Sequence, residues 1–171
     1  MIKQLYLLAI SSLLATASMA QCQELRRIAN PFTDKTVVMT TSVEQQSIEP
    51  VQYERIDEKG QTQYLLHLYT ETGSFLSPKG ATVVFKDGAK IQWTDAVVKS
   101  FFQKGHYVSR SIIELPEDLV EQFQEKEIAF IKLSLNEQWL TFSQSQRAKN
   151  ILTCVLFSDV IAIKSDAVIS Q

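Results

Sequence analysis

The sequence predicts an α+β fold, in which an antiparallel β-sheet carries one or two helices packed on one face. Strand-like segments separated by turn residues follow one another along most of the chain. Helical spacing of apolar residues appears mainly late, over residues 116–126 and again after Ser143. Interleaved strands with late helices favour an antiparallel sheet covered by helices. The alternative is a β-sandwich, in which two sheets pack face to face.

The N-terminus has the layout of a secretory signal peptide. Lys3 provides a cationic start, and an apolar run follows from Leu5 to Ala17. Signal peptidase requires small side chains at the first and third positions before the cut, so Ser18 and Ala20 predict cleavage after Ala20. We therefore expect a signal peptide over residues 1–20 and a secreted or periplasmic mature chain.

Two kinds of membrane anchor are alternatives to a cleaved signal. The apolar run of 13 residues is shorter than the roughly 20 residues that a helix needs to span a bilayer. A lipid anchor on Cys22 would require a small residue directly before the cysteine, where this sequence has Gln21. The later apolar stretch over residues 151–163 is interrupted by polar residues. We expect no stable membrane insertion after signal cleavage.

The length and charge of the mature chain indicate one domain without a nucleic-acid partner. Removal of 20 residues from 171 leaves 151, which suits a single globular domain over residues 21–171. Loss of Lys3 leaves 16 basic residues against 19 acidic residues, a net charge of −3. Binding of nucleic acid requires a cationic face, and the sequence has no basic cluster beyond Arg26-Arg27.

The two cysteines lie near opposite ends of the mature chain, Cys22 at its start and Cys154 in a late helical segment. An oxidising compartment favours a disulfide between them. In the entropic model, closing so long a loop stabilises the fold by up to about 4 to 5 kcal/mol. The alternative is two unrelated thiols, with Cys154 packed as a small hydrophobic residue. We expect the Cys22–Cys154 disulfide.

The first part of the mature chain is predicted to be irregular, and strands follow it. Residues 21–35 are polar and contain a proline, which indicates an irregular lead-in. Strands are predicted over residues 37–44, 51–57 and 64–71, because these segments are rich in Val and Thr or alternate in polarity. The tetrapeptide Asp57–Gly60 predicts a hairpin between the last two.

The clearest hairpin signal is Asp87-Gly88, which is flanked by two apolar segments. This dipeptide favours the positive φ angles of a two-residue type I′ turn. Such a turn would pair Val84 with Ile91 and Thr82 with Trp93.

The middle of the chain combines an ambiguous segment, a strand and a helix. Residues 95–102 suit either a strand or a helix, and a strand is predicted over Tyr107–Leu115 after Gly105. Pro116 suits a first helical turn and acidic residues follow it, so a helix is predicted over residues 116–126.

The last predicted elements are a hairpin and an amphipathic helix. Alternation predicts a strand over residues 131–135, and Asn136-Glu137 is predicted to turn the chain into a partner strand over Trp139–Phe142. Ser143 and Gln146 have the spacing of a capping box at the start of the helix. The apolar face of this helix consists of Ala148, Ile151, Leu152, Val155 and Leu156.

The chain has two histidines, His67 and His106. Neither has a second histidine, a cysteine or an acid at a spacing that would bring ligands to one face, so we predict no metal site and no cofactor. His67 lies within a predicted strand, where a hydrogen-bonded structural role is expected. His106 follows Gly105 and is expected in a solvated turn.

The sequence contains no catalytic motif, so no catalytic residue is predicted. The G-x-S-x-G turn that exposes a nucleophilic serine is absent from the sequence. A Ser-His-Asp triad assembled only in three dimensions stays an alternative, as does a glycosidase-type carboxylate pair. The candidate carboxylates are Glu49, Glu54, Asp57, Glu58, Glu71 and Asp95.

Aromatic residues on or beside the strands are the remaining indication of function. Most are expected in the core, but those on a sheet face without helices would form an exposed patch. Such a patch would suit a peptide, a sugar or a lipid. The candidate binding residues are Tyr64, Tyr69, Trp93 and Tyr107.

Several short segments together carry a family resemblance. They are the signal peptide, Asn30–Asp34, Asp87-Gly88, the strand-to-helix step Ile112–Asp118 and Cys154. With these segments the chain resembles uncharacterised small secreted proteins of Bacteroidota-type Gram-negative bacteria. The resemblance implies export and carries over no functional residue.

The sequence therefore predicts an exported, non-catalytic binding or interaction module. Its ligand would be a protein, a peptide, a sugar or a lipid. The alternatives are a secreted hydrolase whose site is assembled only in the fold, and a lipid carrier with an enclosed apolar cavity.

Overall fold

A computed structural model describes Cys22 and residues 25–30, 32–40, 48–72, 79–103 and 105–158. The predicted signal peptide lies outside these ranges, as does the tail over residues 160–171, for which the sequence suggests a strand or a loose end. The end of the second predicted strand, residues 41–44, lies outside them as well.

The described part of the chain is mostly antiparallel β-sheet with two helices. The strands are Leu25–Asn30 (β1), Lys35–Thr40 (β2), Val51–Glu58 (β3), Gln61–Thr72 (β4), Lys79–Phe85 (β5), Lys90–Gln103 (β6), His106–Leu115 (β7), Ile128–Leu133 (β8) and Asn136–Trp139 (β9). The helices are Glu117–Glu125 (α1) and Phe142–Leu156 (α2).

The strands form one open sheet in the order β1-β2-β3-β4-β7-β6-β5-β8-β9. The long strand β6 joins its two halves. Its C-terminal part, Val98–Gln103, pairs with β7 in the larger half. Its N-terminal part, from Lys90 to Val97, pairs with β5 in the smaller half, which continues through β8 to β9. The ambiguous segment over residues 95–102 is therefore part of a strand.

One face of the sheet, which we call the core face, packs against both helices. On β4 the core face carries Leu66 and Leu68, both fully buried, whereas Leu65, His67 and Tyr69 lie on the opposite, outer face. The alternation predicted for this strand is confirmed. From the smaller half, the core includes Ala81, Val83, Phe85, Ile131 and Leu133.

The helices add their apolar residues to the same core. Phe123 of α1 contacts the rings of Tyr53 and Phe85 edge-on, at centroid distances of 6.4 and 5.2 Å. From α2, Ala148, Ile151, Leu152 and Val155 are buried in this cluster. Two helices thus share one face of an antiparallel sheet, which agrees with the α+β class.

The irregular lead-in predicted over residues 21–35 is wrong in part, because β1 lies within it. Leu25–Asn30 pairs with all of β2, yet five of its six residues are exposed. A strand at the sheet edge with so little burial has no alternating pattern in its sequence. After β1 the chain turns at Asn30, whose Oδ1 accepts a hydrogen bond from the Phe32 backbone N–H at 2.9 Å.

The Asp87-Gly88 hairpin forms, but the predicted turn type and register are wrong. Of the two residues Asp87 and Gly88, only Gly88 has a positive φ, of 87°, so the turn is not type I′. Gly88 N–H donates to Phe85 O and Phe85 N–H donates to Ala89 O, which defines a three-residue loop ending in a bulge glycine. The extra loop residue shifts the register by one. Val84 therefore pairs with Lys90, and Ala81 pairs with Trp93.

A two-residue turn of the type I′ kind occurs instead between β3 and β4. Lys59 and Gly60 both have positive φ, 51° and 76°, and Glu58 pairs directly with Gln61. The hairpin predicted from Asp57–Gly60 is confirmed.

The last hairpin and the cap of α2 differ from the prediction by one to two residues. The turn is Ser134-Leu135, and Asn136 and Glu137 belong to strand β9. The predicted Ser143 and Gln146 capping box is wrong, since it is Thr141 that caps α2, with Gln144 as its partner.

The disulfide between Cys22 and Cys154 is present, with their Cα atoms 5.4 Å apart. It ties Cys22, which precedes β1, to α2, and the two cysteines are 132 positions apart in the sequence. Such a bond is typical of proteins from an oxidising compartment. Neither α1 nor α2 in the described ranges is long and apolar enough to span a membrane.

Candidate functional site

The outer face of the smaller half carries two ordered rows of side chains across four strands. The first row runs through Lys90, Val84, Phe130 and Trp139, which are successive partners on β6, β5, β8 and β9. The second row runs through Gln92, Thr82, Lys132 and Glu137. Since neighbouring strands lie about 4.8 Å apart, each row spans roughly 14 Å.

Seven of these eight residues line an open groove of about 470 Å³, which we call the outer groove. The eighth, Trp139, lies beside the groove and contacts its lining residue Phe130. Its far end is formed by Lys79, Gly80, Thr94 and Ser134. Both helices pack on the core face of the sheet, opposite this groove.

An aromatic pair occupies the β8–β9 end of the first row. The rings of Phe130 and Trp139 are 4.7 Å apart between centroids. Phe130 is half-buried and Trp139 is 69% exposed, so Phe130 supports a ring that is open to solvent. The regular register of β5 and β8 places Phe130 opposite Val84 on the outer face, while the adjacent Ile131 is buried in the core opposite Val83.

The second row is polar. Lys132 Nζ lies 2.6 Å from Glu137 Oε1 on the adjacent strand. Thr82 is only 9% exposed between its neighbours, whereas Gln92 is exposed. Hydroxyl and amide groups both donate and accept hydrogen bonds, so this row offers both to a ligand.

The outer groove has an excess of positive charge. Lys79, Lys90 and Lys132 line it together with one acidic residue, Glu137. Among the described residues, no carboxylate is recorded as a partner of Lys79 or Lys90. The groove is therefore cationic within a chain whose overall charge is −2.

The four aromatic residues named as binding candidates do not meet on one face. Tyr64 and Trp93 are half-buried and pack against the core. Tyr69 lies half-buried on the outer face of the larger half, where Arg110 is its partner on β7. Tyr107 is exposed and contacts the ring of Phe102 at 5.1 Å. The one-residue register shift of the β5–β6 hairpin is what turns Trp93 toward the core.

His67 forms the most buried polar pair on the outer face of the larger half. Its Nε2 lies 2.9 Å from Glu54 Oε2, and the two side chains are only 12% and 15% exposed. Desolvation by burial lowers the pKa of His67, although the Glu54 carboxylate acts in the opposite direction. Because an ionised carboxylate only accepts hydrogen bonds, Nε2 is the donor in the contact with Glu54. The predicted lack of an acid beside His67 is wrong, because the register of β3 and β4 supplies one that spacing along the chain cannot show.

The arrangement around His67 does not build the triad of a serine hydrolase from the neighbouring strand. Ser109 and Ser111 of β7 are buried on the core face, opposite to His67. Ser109 Oγ is bonded to Ser100 Oγ at 2.9 Å, and Ser111 Oγ donates to the Val97 carbonyl. His67 and Glu54 therefore have the geometry of a structural pair.

Three of the six candidate carboxylates form ion pairs with Lys or Arg, and a fourth is hydrogen-bonded to His67. Glu49 contacts Arg147 at 3.1 Å and Asp57 contacts Arg55 at 3.0 Å. Glu58 lies 3.5 Å from Lys35, and Glu54 bonds to His67. The other two, Glu71 and Asp95, are exposed on β4 and β6.

His106 is exposed at the start of β7, beside a small open groove lined also by Glu71, Thr72, Gly105 and Tyr107. In the described ranges, no group of three or more His, Cys, Asp or Glu side chains is placed to hold a metal ion.

The residues that build the outer groove are not among those predicted from the sequence. The predicted strand begins at Ile131, directly after Phe130, and the predicted partner strand begins at Trp139, but neither aromatic residue is predicted to bind a ligand. The alternation of Phe130 and Lys132 with the buried Ile131 and Leu133 is the signal in the sequence that could have indicated an outward-facing row. The contribution of β5 and β6 to the same face depends on strand neighbours far apart in the chain.

Compared with known proteins, the chain matches no protein-family model, no curated protein and no solved structure, so a function proposed for it rests on its own residues.

Proposed function

We propose that this chain is an exported, non-catalytic binding module that binds a saccharide in the outer groove. The observation that carries the proposal is the placement of a solvent-exposed tryptophan, supported by a second aromatic ring, in the same row of a polar sheet face. Trp139 and Phe130 form this pair.

The aromatic pair suits a sugar ring. A pyranose has C–H groups on its faces and hydroxyl groups around its rim, so it stacks on an aromatic ring while its rim forms hydrogen bonds. Trp139 is 69% exposed, and the contact of so large an apolar side chain with water is unfavourable in free energy. A ligand that stacks on the indole would remove this apolar surface from water.

The polar residues of the groove suit the rim of the sugar. Gln92, Thr94 and Ser134 carry amide and hydroxyl groups that donate and accept, as sugar hydroxyls do. A lipid would require an enclosed apolar cavity, whereas this groove is open and lined by charged and polar side chains.

Two observations support export. The N-terminal sequence has the layout of a signal peptide, and the Cys22–Cys154 disulfide agrees with an oxidising compartment. The non-catalytic role is supported by the position of His67, which pairs with Glu54 on the face opposite to Ser109 and Ser111.

A panel of neutral and acidic oligosaccharides, immobilised and probed with the mature protein, tests this proposal. We expect binding to a subset of the panel and a loss of at least tenfold in affinity for Trp139→Ala. Because Trp139 is largely exposed, the variant should keep its fold, which its circular dichroism spectrum would check.

The matched control is Phe32→Ala. Phe32 is 93% exposed in the loop between β1 and β2, at the opposite edge of the sheet from β9. This variant should bind as the unchanged protein does. Absence of binding to every saccharide, or equal binding by the Trp139→Ala and unchanged proteins, would refute the proposal.

A further inference from the structure

We propose that the saccharide bound in the outer groove is acidic, and that its carboxylate or sulfate groups are bound by Lys90 and Lys132. This inference rests on the proposed saccharide-binding function and specifies the chemical class of its ligand.

The charge of the groove is the first argument. Lys90 of the first row and Lys132 of the second row project from β6 and β8 on the same side of the sheet, with strand β5 between them and Lys79 at the far end of the groove. With Glu137 as the acidic residue of the groove, lysines outnumber acids by three to one. The complete sequence has the opposite balance, with 19 acidic residues against 17 basic ones. A cationic groove attracts an anionic ligand, whereas the acidic remainder of the protein surface repels it. The charge distribution therefore directs an anionic ligand to the groove.

The arrangement of the lysines is the second argument. Lys132 is held by Glu137, with 2.6 Å between Nζ and Oε1, so its ammonium is positioned before a ligand arrives. Lys90 is exposed and lies in the first row, three strands away from Trp139. Neighbouring strands are about 4.8 Å apart, so roughly 14 Å separate the stacking site from the Lys90 position. A ligand that reaches from Trp139 to Lys90 is a chain of several sugar units. To contact both Lys90 and Lys132, it carries negative charge on more than one of these units.

The neutral polar residues favour an acidic saccharide over an acidic peptide. The backbone groups of β5 and β8 pair with strands on both sides, so a peptide lying across them finds no free backbone partners. Gln92, Thr94 and Ser134 instead present side-chain hydroxyl and amide groups, which match sugar hydroxyls between the charges. The exposed Trp139 ring supplies the stacking surface for a sugar face.

Calorimetric titration of the mature protein with an oligogalacturonate and with its carboxyl-reduced, neutral counterpart tests the inference. Poly-glutamate of matched charge and a single-stranded oligonucleotide serve as further anionic probes. We expect the acidic saccharide to bind at least tenfold more tightly than the neutral one, and its affinity to fall as salt is raised. Both other polyanions should bind at least tenfold more weakly than the acidic saccharide.

Substitution of the lysines connects this result to the groove. The double variant Lys90→Gln and Lys132→Gln should lose at least tenfold in affinity for the acidic saccharide and little for the neutral one. The control Lys99→Gln removes an exposed lysine from the larger half of the sheet and should change neither affinity by more than twofold.

Equal affinity for the neutral and acidic saccharides, with loss of both in Trp139→Ala, would leave the saccharide-binding function intact and overturn the acidic ligand. Binding of neither saccharide would also overturn the acidic ligand, whereas the proposed function falls only if the whole saccharide panel fails to bind. Equal binding of poly-glutamate or of the oligonucleotide would show recognition by charge alone and would also overturn the inference.

Discussion

Ala81 lies directly opposite Trp93 across β5 and β6, and this pairing directs the indole of Trp93 toward the core. The same register places Gln92 and Lys90 on the outer face, where they line the outer groove. A single residue in the loop between these strands thus decides which side chains are available to a ligand.

Replacement of the two tryptophans by alanine should affect the free energy of unfolding to very different extents. Trp93→Ala is expected to lower the free energy of unfolding by about 2 to 4 kcal/mol, because a large side chain packed against the core is lost. Trp139→Ala should change it by less than about 1 kcal/mol, since its ring is mostly exposed. Urea unfolding followed by far-ultraviolet circular dichroism measures both. Similar losses for the two variants would contradict the register described above.

The turn at Gly88 should be sensitive to a side chain for conformational reasons alone. Gly88 has a φ of 87°, and a Cβ added there would meet nothing within 4 Å. We expect Gly88→Ala to destabilise the protein by roughly 1 kcal/mol, because alanine avoids positive φ. Gly88→Asn should cost less, since asparagine tolerates this region better. Thermal unfolding of the two variants would show the order, and the reverse order would disagree with the bulged turn.

The disulfide should contribute strongly to stability. The double variant Cys22→Ser and Cys154→Ser is expected to lose about 2 to 5 kcal/mol, because the bond restricts a long loop of the unfolded chain. Urea unfolding of the mature protein with and without a reducing agent provides the control. Reduction should destabilise the unchanged protein and leave the double variant unaffected. A variant as stable as the oxidised protein would argue against this role of the bond.

Stability should decrease as the pH falls below the ordinary pKa of histidine. Burial lowers the pKa of His67 below the ordinary histidine value of 6.5, so the unfolded chain binds a proton more readily than the folded one does. The resulting stabilisation is present above pH 6.5 and is lost as the pH falls from there through the folded-state pKa. Arg110 acts in the same direction as burial, and Glu54 opposes both.

The variant His67→Gln removes this titrating group while its amide keeps a donor for Glu54. Its free energy of unfolding, measured by urea titration at pH 7.5, 6.5 and 5.5, should therefore depend less on pH than that of the unchanged protein. Equal slopes for the two proteins would show that His67 does not contribute to the dependence.

Much of the fold follows from local patterns in the sequence. The alternation of Leu66 and Leu68 with His67 predicts a strand with two different faces, and β4 has them. Pro116 and the acidic residues after it predict the start of α1, which begins at Glu117. These signals are strong because burial on one face leaves a period in the sequence.

The remaining differences between the predicted and the observed structure arise where contacts with other segments determine the conformation. Asp-Gly suits both a type I′ turn and a three-residue loop with a bulge glycine, so the residues at positions 87 and 88 do not select one register. Strand β1 is exposed along five of its six residues and is defined by pairing with β2. Its sequence therefore lacks a burial pattern.

The candidate site could not be predicted from local sequence patterns, because strand pairing brings its residues together from distant parts of the chain. Phe130 and Lys90 are 40 positions apart in the sequence, and they share a row only because β5 pairs with both β6 and β8. Sequence reasoning expected aromatic residues on an uncovered sheet face, but it did not select the pair Phe130 and Trp139. His67 and Glu54 meet through the register of β3 and β4 in a comparable way.

A nuclear magnetic resonance titration of the isotope-labelled protein with an acidic oligosaccharide tests most directly whether the outer groove is the ligand-binding surface. We predict amide shift changes concentrated in residues 79–94 and 130–139, together with a shift of the Trp139 indole N–H. Shift changes centred on His67 and Glu54, on Phe102 and Tyr107, or on no surface at all would contradict this assignment.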